Sequence, residues 1–286
     1  MKTIGVIANP NKERAADVLR TVASVSARVG IVLMADEATA ALLGISEFVT
    51  SDEMFDRVDA VMALGGDGTM LRVARALGGR KKPVIGVNIG ALGFLTSIAE
   101  EDLECAIQCL ADDNFITTKA FVLEGEVFRS GKMVAKYRAL NEIVVSRGVS
   151  TRMATLDVTV DNDVVTSYQC DGVIVSSPVG STGHSLSAGG PIIVPSTKAF
   201  VVTPICPHTL SSRPLVIPDS SEVAVTVIGA ATDLVLSVDG QDGQGLRESD
   251  RVVIRRSKAD VEFIHMPGYS YFSVLSQKLG WRGSSV

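Results

Sequence analysis

Short apolar runs alternate with amphipathic stretches along the first third of the chain. Four apolar runs have the length of buried strands: residues 3–9, 30–35, 60–64 and 83–89. Three stretches carry apolar residues at helical spacing, and a fourth suits a short helix: residues 13–28, 69–77, 100–111 and 37–49. Strands that alternate with helices need crossover connections, which predicts a largely parallel sheet covered on both faces.

The pattern changes near residue 117 to an alternation of apolar and polar residues with period two. It runs through five stretches: residues 121–146, 155–177, 222–229, 234–241 and 250–256. Turn residues at Ser130-Gly131 and at Asp161-Asn162-Asp163 predict hairpins, and residues 269–281 return to helical spacing. We therefore predict an α/β fold with a Rossmann-like N-terminal α/β domain over residues 1–117. A β-rich domain follows over 118–265, and a C-terminal helical segment over 266–286 packs back on the N-terminal domain.

Composition argues against several classes of protein. The chain has 286 residues, of which 46% are apolar, and a net charge of −5. A protein that binds nucleic acid through its phosphates is more often basic, so we expect no nucleic-acid partner. No segment approaches the ~20 uninterrupted apolar residues of a membrane span, and the start lacks the features of a secretory signal. We expect a cytoplasmic protein with no membrane partner.

The four cysteines do not have the spacing of a zinc ribbon. Cys105 and Cys109 lie four residues apart on a predicted helix, where their side chains can face each other. We interpret them as packing residues rather than as a metal or redox pair.

The sequence GGDGT at residues 65–69 lies between a predicted strand and a predicted helix. Glycines at 65, 66 and 68 permit positive φ angles and the close approach of a ligand to the backbone. Thr69 is expected to cap the following helix. Because the first N–H groups of a helix and its dipole attract anions, we predict a phosphate site at this turn. The spacing matches neither the P-loop nor the dinucleotide-binding fingerprint.

Asp67 places a carboxylate among groups suited to a phosphate, which is repulsive unless the carboxylate has a task. It can hold a bridging Mg²⁺, or it can accept the proton of a hydroxyl group that attacks the γ-phosphoryl group of a nucleotide. The alternative is a tight Asp-Gly turn in which the aspartate caps the helix.

A second glycine-rich stretch covers residues 171–195 and carries hydroxyl groups and one imidazole. Such a segment can line a polar ligand, and the alternative is a long loop between strands. Its GHSLS sequence at 183–187 lacks the second glycine of a serine nucleophile elbow, which disfavours hydrolase chemistry.

Asn141 and Glu142 are adjacent polar residues in an otherwise apolar strand. We expect their side chains to point to opposite faces, where either can bind a ribose diol; the alternative is a polar pair on an edge strand. The stretch at 239–245 lacks the acidic spacing of a calcium loop, and its Asp242-Gly243 pair is predicted as a hairpin turn. His208 and His265 are assigned no role, and the sequence suggests no partner for His265.

Six segments together resemble the NAD kinase family. They are GGDGT at 65–69, GVNIGALGFL at 86–95, NE at 141–142, DGVIVSSPVGSTGHSLSAGGPI at 171–192, TPICPHTLSSRPLVIP at 203–218 and DGQ at 239–241. GGDGT alone is weakly specific, because lipid kinases and phosphofructokinases use similar turns; the long fourth segment and TPICPH are much more specific. The resemblance implies transfer of the γ-phosphoryl group of ATP to the 2′-hydroxyl of the adenosine ribose of NAD, giving NADP and ADP. It also implies Mg²⁺ or a similar divalent ion, a β-sandwich as the second domain, and a homodimer or homotetramer.

The resemblance assigns site residues as well. It implies Asp67 as the proton acceptor, Gly68 at the ligand, and Asn141 and Glu142 as the pair that binds NAD. Further dinucleotide contacts are implied at Arg152, Asp171, Thr182, Gly183, His184, Ser185, Leu186, Ser187 and Gln241. No protein ligand is assigned to the metal ion.

Two positions depart from the family pattern. His184 stands where the family commonly has tyrosine, and Ala91 where it often has arginine or another polar residue. These changes bear on affinity and on the choice between NAD and NADH rather than on the reaction. The sequence leaves two other functions open: a lipid or sugar kinase that shares the glycine turn, and a dinucleotide sensor that binds without catalysis.

Overall fold

The computed structural model describes residues 1–90, 93–148, 152–228 and 233–281. It contains two compact units. The first consists of Met1–Lys119 together with the residues from Val261 onward, and the second is Ala120–Asp260. The strand at Val261–His265, predicted as part of the β-rich domain, lies in the first unit because it joins the sheet of that unit.

The helices and strands are numbered here in chain order. Up to residue 120 they are β1 (Thr3–Ala8), α1 (Ala15–Val29), β2 (Val32–Ala35), α2 (Glu37–Ala41), α3 (Ser51–Arg57), β3 (Ala60–Gly65), α4 (Asp67–Ala76), β4 (Val84–Asn88), α5 (Leu103–Ala111) and β5 (Ile116–Ala120). The second unit contains β6 (Leu123–Arg129), β7 (Lys132–Ala139), β8 (Glu142–Arg147), β9 (Ala154–Val160), β10 (Asp163–Cys170), β11 (Gly172–Ser176), α6 (His184–Ser187), β12 (Ala199–Ile205), β13 (Leu215–Pro218), β14 (Val223–Val227), β15 (Leu234–Val238), β16 (Gln241–Leu246) and β17 (Arg251–Arg256). The first unit is then completed by β18 (Val261–His265) and α7 (Tyr271–Leu279).

The first unit is built on a six-stranded sheet with the strand order β2-β1-β3-β4-β18-β5. β1 pairs in parallel with β2 and β3, and β4 pairs in parallel with β3 and β18. β3 and β4 are buried along their whole length, as expected for strands covered on both faces. The strand order reverses between β1 and β3, and the carboxyl ends of strands at such a reversal form the usual ligand crevice of an open α/β sheet.

Two antiparallel sheets of six strands make up the second unit, with the orders β10-β9-β14-β17-β6-β7 and β13-β12-β11-β8-β15-β16. One apolar core contains residues of both sheets, among them Leu123 and Val225 of the first and Phe200 and Leu236 of the second. This arrangement is a β-sandwich. The predicted combination of an α/β unit and a β-sandwich is therefore confirmed.

The predicted hairpin turns are also confirmed at two places. Ser130 and Gly131 have φ angles of 50° and 75°, and Asp161 and Asn162 have φ angles of 51° and 72°. Two successive left-handed residues match the twist of the flanking strands, which is why such pairs close hairpins.

One helix was not predicted, and one turn prediction is wrong. The missed helix is α3, which the Thr50 hydroxyl caps by accepting a hydrogen bond from the Glu53 amide at 3.2 Å. The last hairpin turns at Asp239-Gly240, with φ angles of 51° and 71°, whereas residues 242 and 243 belong to β16. Both Asp-Gly pairs have turn composition, and the pairing of Val238 with Gln241 selects the first.

No helix among the described residues combines the length and the apolar character that crossing a membrane requires.

His265 is buried at the end of β18 and has partners that the sequence did not suggest. Its Nε2 lies 2.8 Å from the Thr118 hydroxyl, and its ring stacks on Tyr269 with 3.8 Å between ring centroids. Its Nδ1 has no hydrogen-bond partner among the described residues. Because burial penalises the charged imidazolium, it lowers the pKa of His265 to about 4.

We predict that His265 makes the protein less stable in mild acid. The pKa of His265 is about 4 in the folded chain against an ordinary value of 6.5, so the unfolded chain binds one more proton between these values. The free energy of unfolding then falls as the pH drops from 6.5 towards 4. His265→Gln should reduce that fall by up to about 3 kcal/mol, measured by denaturant titration at several pH values.

His208→Gln is the matched control, because His208 is exposed. It should change the dependence of stability on pH less than His265→Gln does. Parallel curves for the wild type and His265→Gln would contradict the prediction.

Candidate active site

The GGDGT turn lies at the carboxyl end of β3, next to the reversal point of the first sheet. α4 begins at Asp67, two residues earlier than predicted, and Gly66 is its N-cap residue. No side chain caps the helix, so the predicted capping role of Thr69 is wrong. Gly65, Gly66 and Gly68 are not among the residues with positive φ angles, so the turn does not use the left-handed conformation that glycine permits.

Space rather than backbone conformation explains the glycines of this turn. A Cβ at position 65 would overlap Oγ1 of Thr69 and lie 3.0 Å from its Cβ. At positions 66 and 68 a Cβ would meet nothing within 4 Å in the described part of the chain beyond adjacent residues and the helix's own backbone. Open space therefore lies in front of the amino terminus of α4, where the first N–H groups of a helix lack partners within the helix.

The carboxylate of Asp67 is bound to the backbone of the loop after β4. Its Oδ2 accepts a hydrogen bond from the Phe94 amide and its Oδ1 one from the Leu95 amide, both at 2.9 Å. The side chain therefore does not cap its own helix, and the alternative of a self-capping Asp-Gly turn is wrong. Two bonds from successive amides fix the position of both carboxylate oxygens.

Gly93 makes this arrangement possible, although no role was predicted for it from the sequence. A Cβ at position 93 would lie 2.7 Å from Cγ of Asp67 and 2.8 Å from Oγ1 of Thr96, closer than real Cβ atoms approach. The Gly93 amide donates to Oγ1 of Thr96 at 3.1 Å, which holds the loop in place. Gly93 falls within the quoted segment at 86–95, so the motif contained the signal.

Asparagine side chains accompany Asp67 at the same edge of the sheet. Asn9 follows β1 and lies next to Gly65. A Cβ added at Gly65 would be 3.2 Å from the Cβ of Asn9. Asn88 ends β4; its amide nitrogen donates to the Gly90 carbonyl at 2.7 Å, and its buried Oδ1 has no partner among the described residues. Neither asparagine was singled out from the sequence. Both lie at the same sheet edge as Asp67 because β1 and β4 flank β3.

In the second unit, Asn141 and Glu142 form the turn that leads into β8. Glu142 is buried and Asn141 is partly exposed. A Cβ at Gly183 would lie 3.3 Å from Oε2 of Glu142 and 3.7 Å from Nδ2 of Asn141. Both side chains therefore reach Gly183, whereas we expected them to point to opposite faces of a strand. Asn141 precedes β8, so the alternation of side chains along a strand does not apply to it. Oε2 of Glu142 and Oδ1 of Asn141 are buried without a hydrogen-bond partner among the described residues.

Glu142 has an unusual proton affinity. Burial first, and then the nearby charge of Asp239, raise the pKa of Glu142 to about 7. A carboxyl group with this pKa changes its charge near neutral pH, and perturbed values of this kind concentrate at functional sites.

The segment from Thr182 to Ser187 comprises the end of a short 3₁₀ turn and α6. The Thr182 hydroxyl donates to the Val179 carbonyl at 3.2 Å, His184 and Ser187 are exposed, and Leu186 is partly exposed. Ser185 is buried and its hydroxyl lies 2.9 Å from that of Thr203, which is a structural contact and not that of a nucleophile. Gly183 brings its backbone to Asn141 and Glu142, as described above.

The remaining sequence-predicted residues lie at separate places in the second unit. Asp171 accepts two bonds from Arg147, at 2.6 and 3.1 Å, and this hydrogen bonding lowers its pKa. Gln241 is exposed at the start of β16, and Arg152 is exposed beside residues 149–151, which lie outside the described part. Ala91 also lies outside the described residues. No group of three or more His, Cys, Asp or Glu side chains within the described ranges could hold a metal ion.

Comparison with known proteins identifies the family. The ATP-NAD kinase N-terminal domain matches residues 4–115, and the ATP-NAD kinase C-terminal domain matches residues 140–266. The chain belongs to the NAD kinase family. The NAD kinase of Desulforamulus reducens is 42% identical over 280 residues, which are 98% of this chain and 97% of that protein. The NAD kinase of Gemmatimonas aurantiaca is 43% identical over 229 residues, which are 80% and 79% of the two chains.

Solved structures from the NAD kinase family share the fold. Yeast NADH kinase complexed with NADH matches with a TM-score of 0.92 at 24% identity, over 100% of this chain and 89% of that chain. An NAD kinase from Archaeoglobus fulgidus in complex with ATP matches with a TM-score of 0.77 at 23% identity, over 99% and 100% of the two chains. At these identities the likeness establishes the fold.

We predict that Gly93→Ala reduces NAD kinase activity through Asp67. The added Cβ must push the carboxylate away from the Phe94 and Leu95 amides, and a displacement of about 1 Å typically costs ~10²-fold in rate. The measurement is kcat for NADP formation, together with the thermal midpoint of unfolding.

The matched control is Gly245→Ala, because a Cβ there meets nothing within 4 Å among the described, non-adjacent residues and Gly245 has no positive φ. It should leave kcat unchanged. Full activity in Gly93→Ala would show that the contact with Asp67 is unimportant.

Proposed function

We propose that this protein transfers the γ-phosphoryl group of ATP to the 2′-hydroxyl of the adenosine ribose of NAD, giving NADP and ADP. The observation that carries the proposal is its similarity to curated NAD kinases, at 42% and 39% identity over 98% of the chain for two of them. Members of this family are phosphotransferases. The described geometry supports particular roles for the chain's own residues.

Asp67 is the proton acceptor for the attacking hydroxyl in this proposal. A carboxylate offers about four acceptor positions, and the Phe94 and Leu95 amides use two of them. The others are held in a fixed direction, and among the described residues no side chain occupies them. Phosphoryl transfer depends on positioning and charge stabilisation more than on a strong base, so a well-placed aspartate suffices.

Asn141 and Glu142 bind the dinucleotide in this proposal. Their unpartnered buried oxygens beside Gly183 suit the hydroxyl groups of a ribose, because a buried acceptor without a partner gains a full hydrogen bond when a donor arrives. The remaining contacts assigned to the dinucleotide are Gly68, Arg152, Asp171, Thr182, Gly183, His184, Ser185, Leu186, Ser187 and Gln241. For Ser185 the contact is through its backbone, since its hydroxyl is engaged with Thr203.

A divalent ion such as Mg²⁺ belongs to the proposal as a companion of the ATP phosphates. When bound, it supplies positive charge that neutralises the phosphate oxygens during transfer. Asp67 is assigned to the hydroxyl proton because the family resemblance implies that role, and no protein ligand is assigned to the ion.

The cellular setting and the assembly are further parts of the proposal. Four free cysteines fit a reducing cytoplasm. A homodimer or homotetramer is proposed from the family resemblance, and light scattering of the purified protein tests it.

We predict that Asp67→Asn lowers kcat by roughly 10²–10⁴-fold, the range attributed to general acid–base groups. The amide cannot take a proton from the attacking hydroxyl, whereas the dissociation constant for NAD should change little. Steady-state kinetics and calorimetry measure the two effects.

Asp59→Asn is the matched control for Asp67→Asn. In the wild type, Oδ2 of Asp59 also accepts bonds from two successive amides, those of Lys2 and Thr3, at 2.8 and 3.0 Å. Because both amides bond the same oxygen, an asparagine oxygen can accept both, so this variant removes only the negative charge of an amide-bound aspartate and should remain active. Unchanged turnover in Asp67→Asn, or an equal loss in both variants, would remove the base assignment.

We predict that chelation of divalent ions stops NADP formation and that Mg²⁺ restores it. NAD binding in the absence of ATP should persist in the chelator, because the proposed dinucleotide contacts are side-chain and backbone groups. Turnover is followed by NADP formation with ATP as the donor, and binding by calorimetry. Undiminished turnover in excess chelator would contradict the role given to the ion.

A further inference from the structure

Asp239 occupies the tip of the hairpin between β15 and β16 and reaches the turn that carries Asn141 and Glu142. Its carboxylate accepts hydrogen bonds from three successive amides: Leu140 to Oδ2 at 2.9 Å, Asn141 to Oδ1 at 2.8 Å, and Glu142 to Oδ1 at 3.2 Å. The Asp239 amide donates in return to the Glu142 carbonyl at 3.0 Å. The residue is 8% exposed, so water competes little for these bonds.

The opposite side of the same turn is held by the start of the glycine-rich segment. The Ser177 hydroxyl donates to the Leu140 carbonyl at 2.6 Å, and the Ser177 amide donates to the Asn141 carbonyl at 2.8 Å. Gly180 packs so closely that a Cβ would overlap the Asn141 backbone. The N–H groups of the turn therefore depend on Asp239, while the carbonyl groups of Leu140 and Asn141 accept bonds from Ser177.

A second hairpin of the same unit repeats the local geometry without the site. Asp161 has the same φ angle as Asp239, 51°, and its Oδ1 accepts a bond from the Glu222 amide at 2.8 Å. The Asp161 amide donates to the Glu222 carbonyl at 2.9 Å. Asp161 is exposed, however, and its carboxylate accepts a bond from one amide of the neighbouring loop, that of Glu222. The carboxylate of Asp239 accepts bonds from three amides. The hairpin geometry alone therefore does not explain the burial of Asp239.

We propose that Asp239 is the positioning residue of the dinucleotide subsite, which fixes the 140–142 turn so that the side chains of Asn141 and Glu142 face Gly183. The proposal rests on the function proposed above for Asn141 and Glu142, and it assigns Asp239 no contact with the substrate. The carboxylate acts through the three amides that it orders and through its charge beside Glu142.

The charge of Asp239 has a consequence that packing alone would not have. It is the second cause, after burial, that raises the pKa of Glu142 to about 7. The ionised form of Glu142 is the better acceptor for a ribose hydroxyl, so NAD affinity should fall as the pH drops through about 7. Removing the charge at 239 should lower the pKa of Glu142. The fall in affinity, which forms the acid limb of the pH profile of kcat/KM, should then move to lower pH.

The test is Asp239→Asn in the full-length protein, with kcat and KM for NAD measured from roughly pH 6 to 9. Asparagine keeps the size of the side chain, but it turns an NH₂ group towards amides that need an acceptor. We expect KM for NAD to rise about tenfold or more at the alkaline end, with kcat within about threefold of wild type. We also expect the acid limb of kcat/KM to shift down by about half a pH unit or more.

Asp161→Asn is the matched control. It removes the charge, while the asparagine oxygen can still accept the bond from the Glu222 amide, and it should keep the wild-type KM and acid limb. A wild-type KM and acid limb in Asp239→Asn would overturn the proposal, as would equal effects in the two variants. A loss of thermal stability in Asp239→Asn with an unmoved acid limb would reduce Asp239 to a structural residue and would also overturn it.

Asp239→Glu provides the test if Asp239→Asn does not fold. It keeps the negative charge but moves the carboxylate by one methylene group. KM should rise while the acid limb stays in place, and an unchanged KM would overturn the proposal. Wild-type protein that forms no NADP would instead refute the proposed function, so the two failures are distinguishable.

Discussion

The bonds from the Phe94 and Leu95 amides to the carboxylate of Asp67 are the interaction on which the proposed chemistry depends. They join the turn after β3 to the loop after β4, and the Ile89 amide donates to the Gly65 carbonyl at 2.7 Å close to them. Backbone amides carry no net charge and have no rotamers, so they hold the carboxylate in one place without neutralising it. The absence of a side chain at Gly93 is the steric condition for this contact.

The same device, an aspartate that accepts bonds from loop amides, occurs at several places in the chain. Asp59 and Asp161 are exposed, and each ties two pieces of surface backbone together. Asp67 and Asp239 are more buried and lie beside segments that the family resemblance assigns to the substrates. A charge-assisted bond to an amide is strong without a lysine or arginine partner. Structural and functional aspartates of this kind therefore differ in their surroundings. The presence of an aspartate in the sequence does not distinguish the two.

The sequence predicts those features of the fold and the site that depend on local pattern. Apolar periodicity separates the α/β unit from the sandwich, and the motifs around Asp67 and Glu142 identify the family. The partners of Asp67 lie 27 and 28 residues away, and Asp239 lies 97 residues from Glu142, so no local pattern contains these contacts. The glycines at 65 and 93 show the same limit. The cause of each is a neighbouring atom brought there by the fold, whereas the sequence suggests a conformational reason for Gly65 and no reason for Gly93.

Glu142 and Asp239 show how positioning and proton affinity become linked in one residue. Two carboxyl groups close together in a buried place are unfavourable when both are ionised, and the raised pKa of Glu142, about 7, expresses that cost. Moving Asp239 away would relieve the repulsion, but it would leave the amides of residues 140–142 without their acceptor. A ribose hydroxyl that donates to Glu142 offsets part of the cost instead. On the proposed function, the free site thus keeps an unsatisfied acid that favours binding of the dinucleotide.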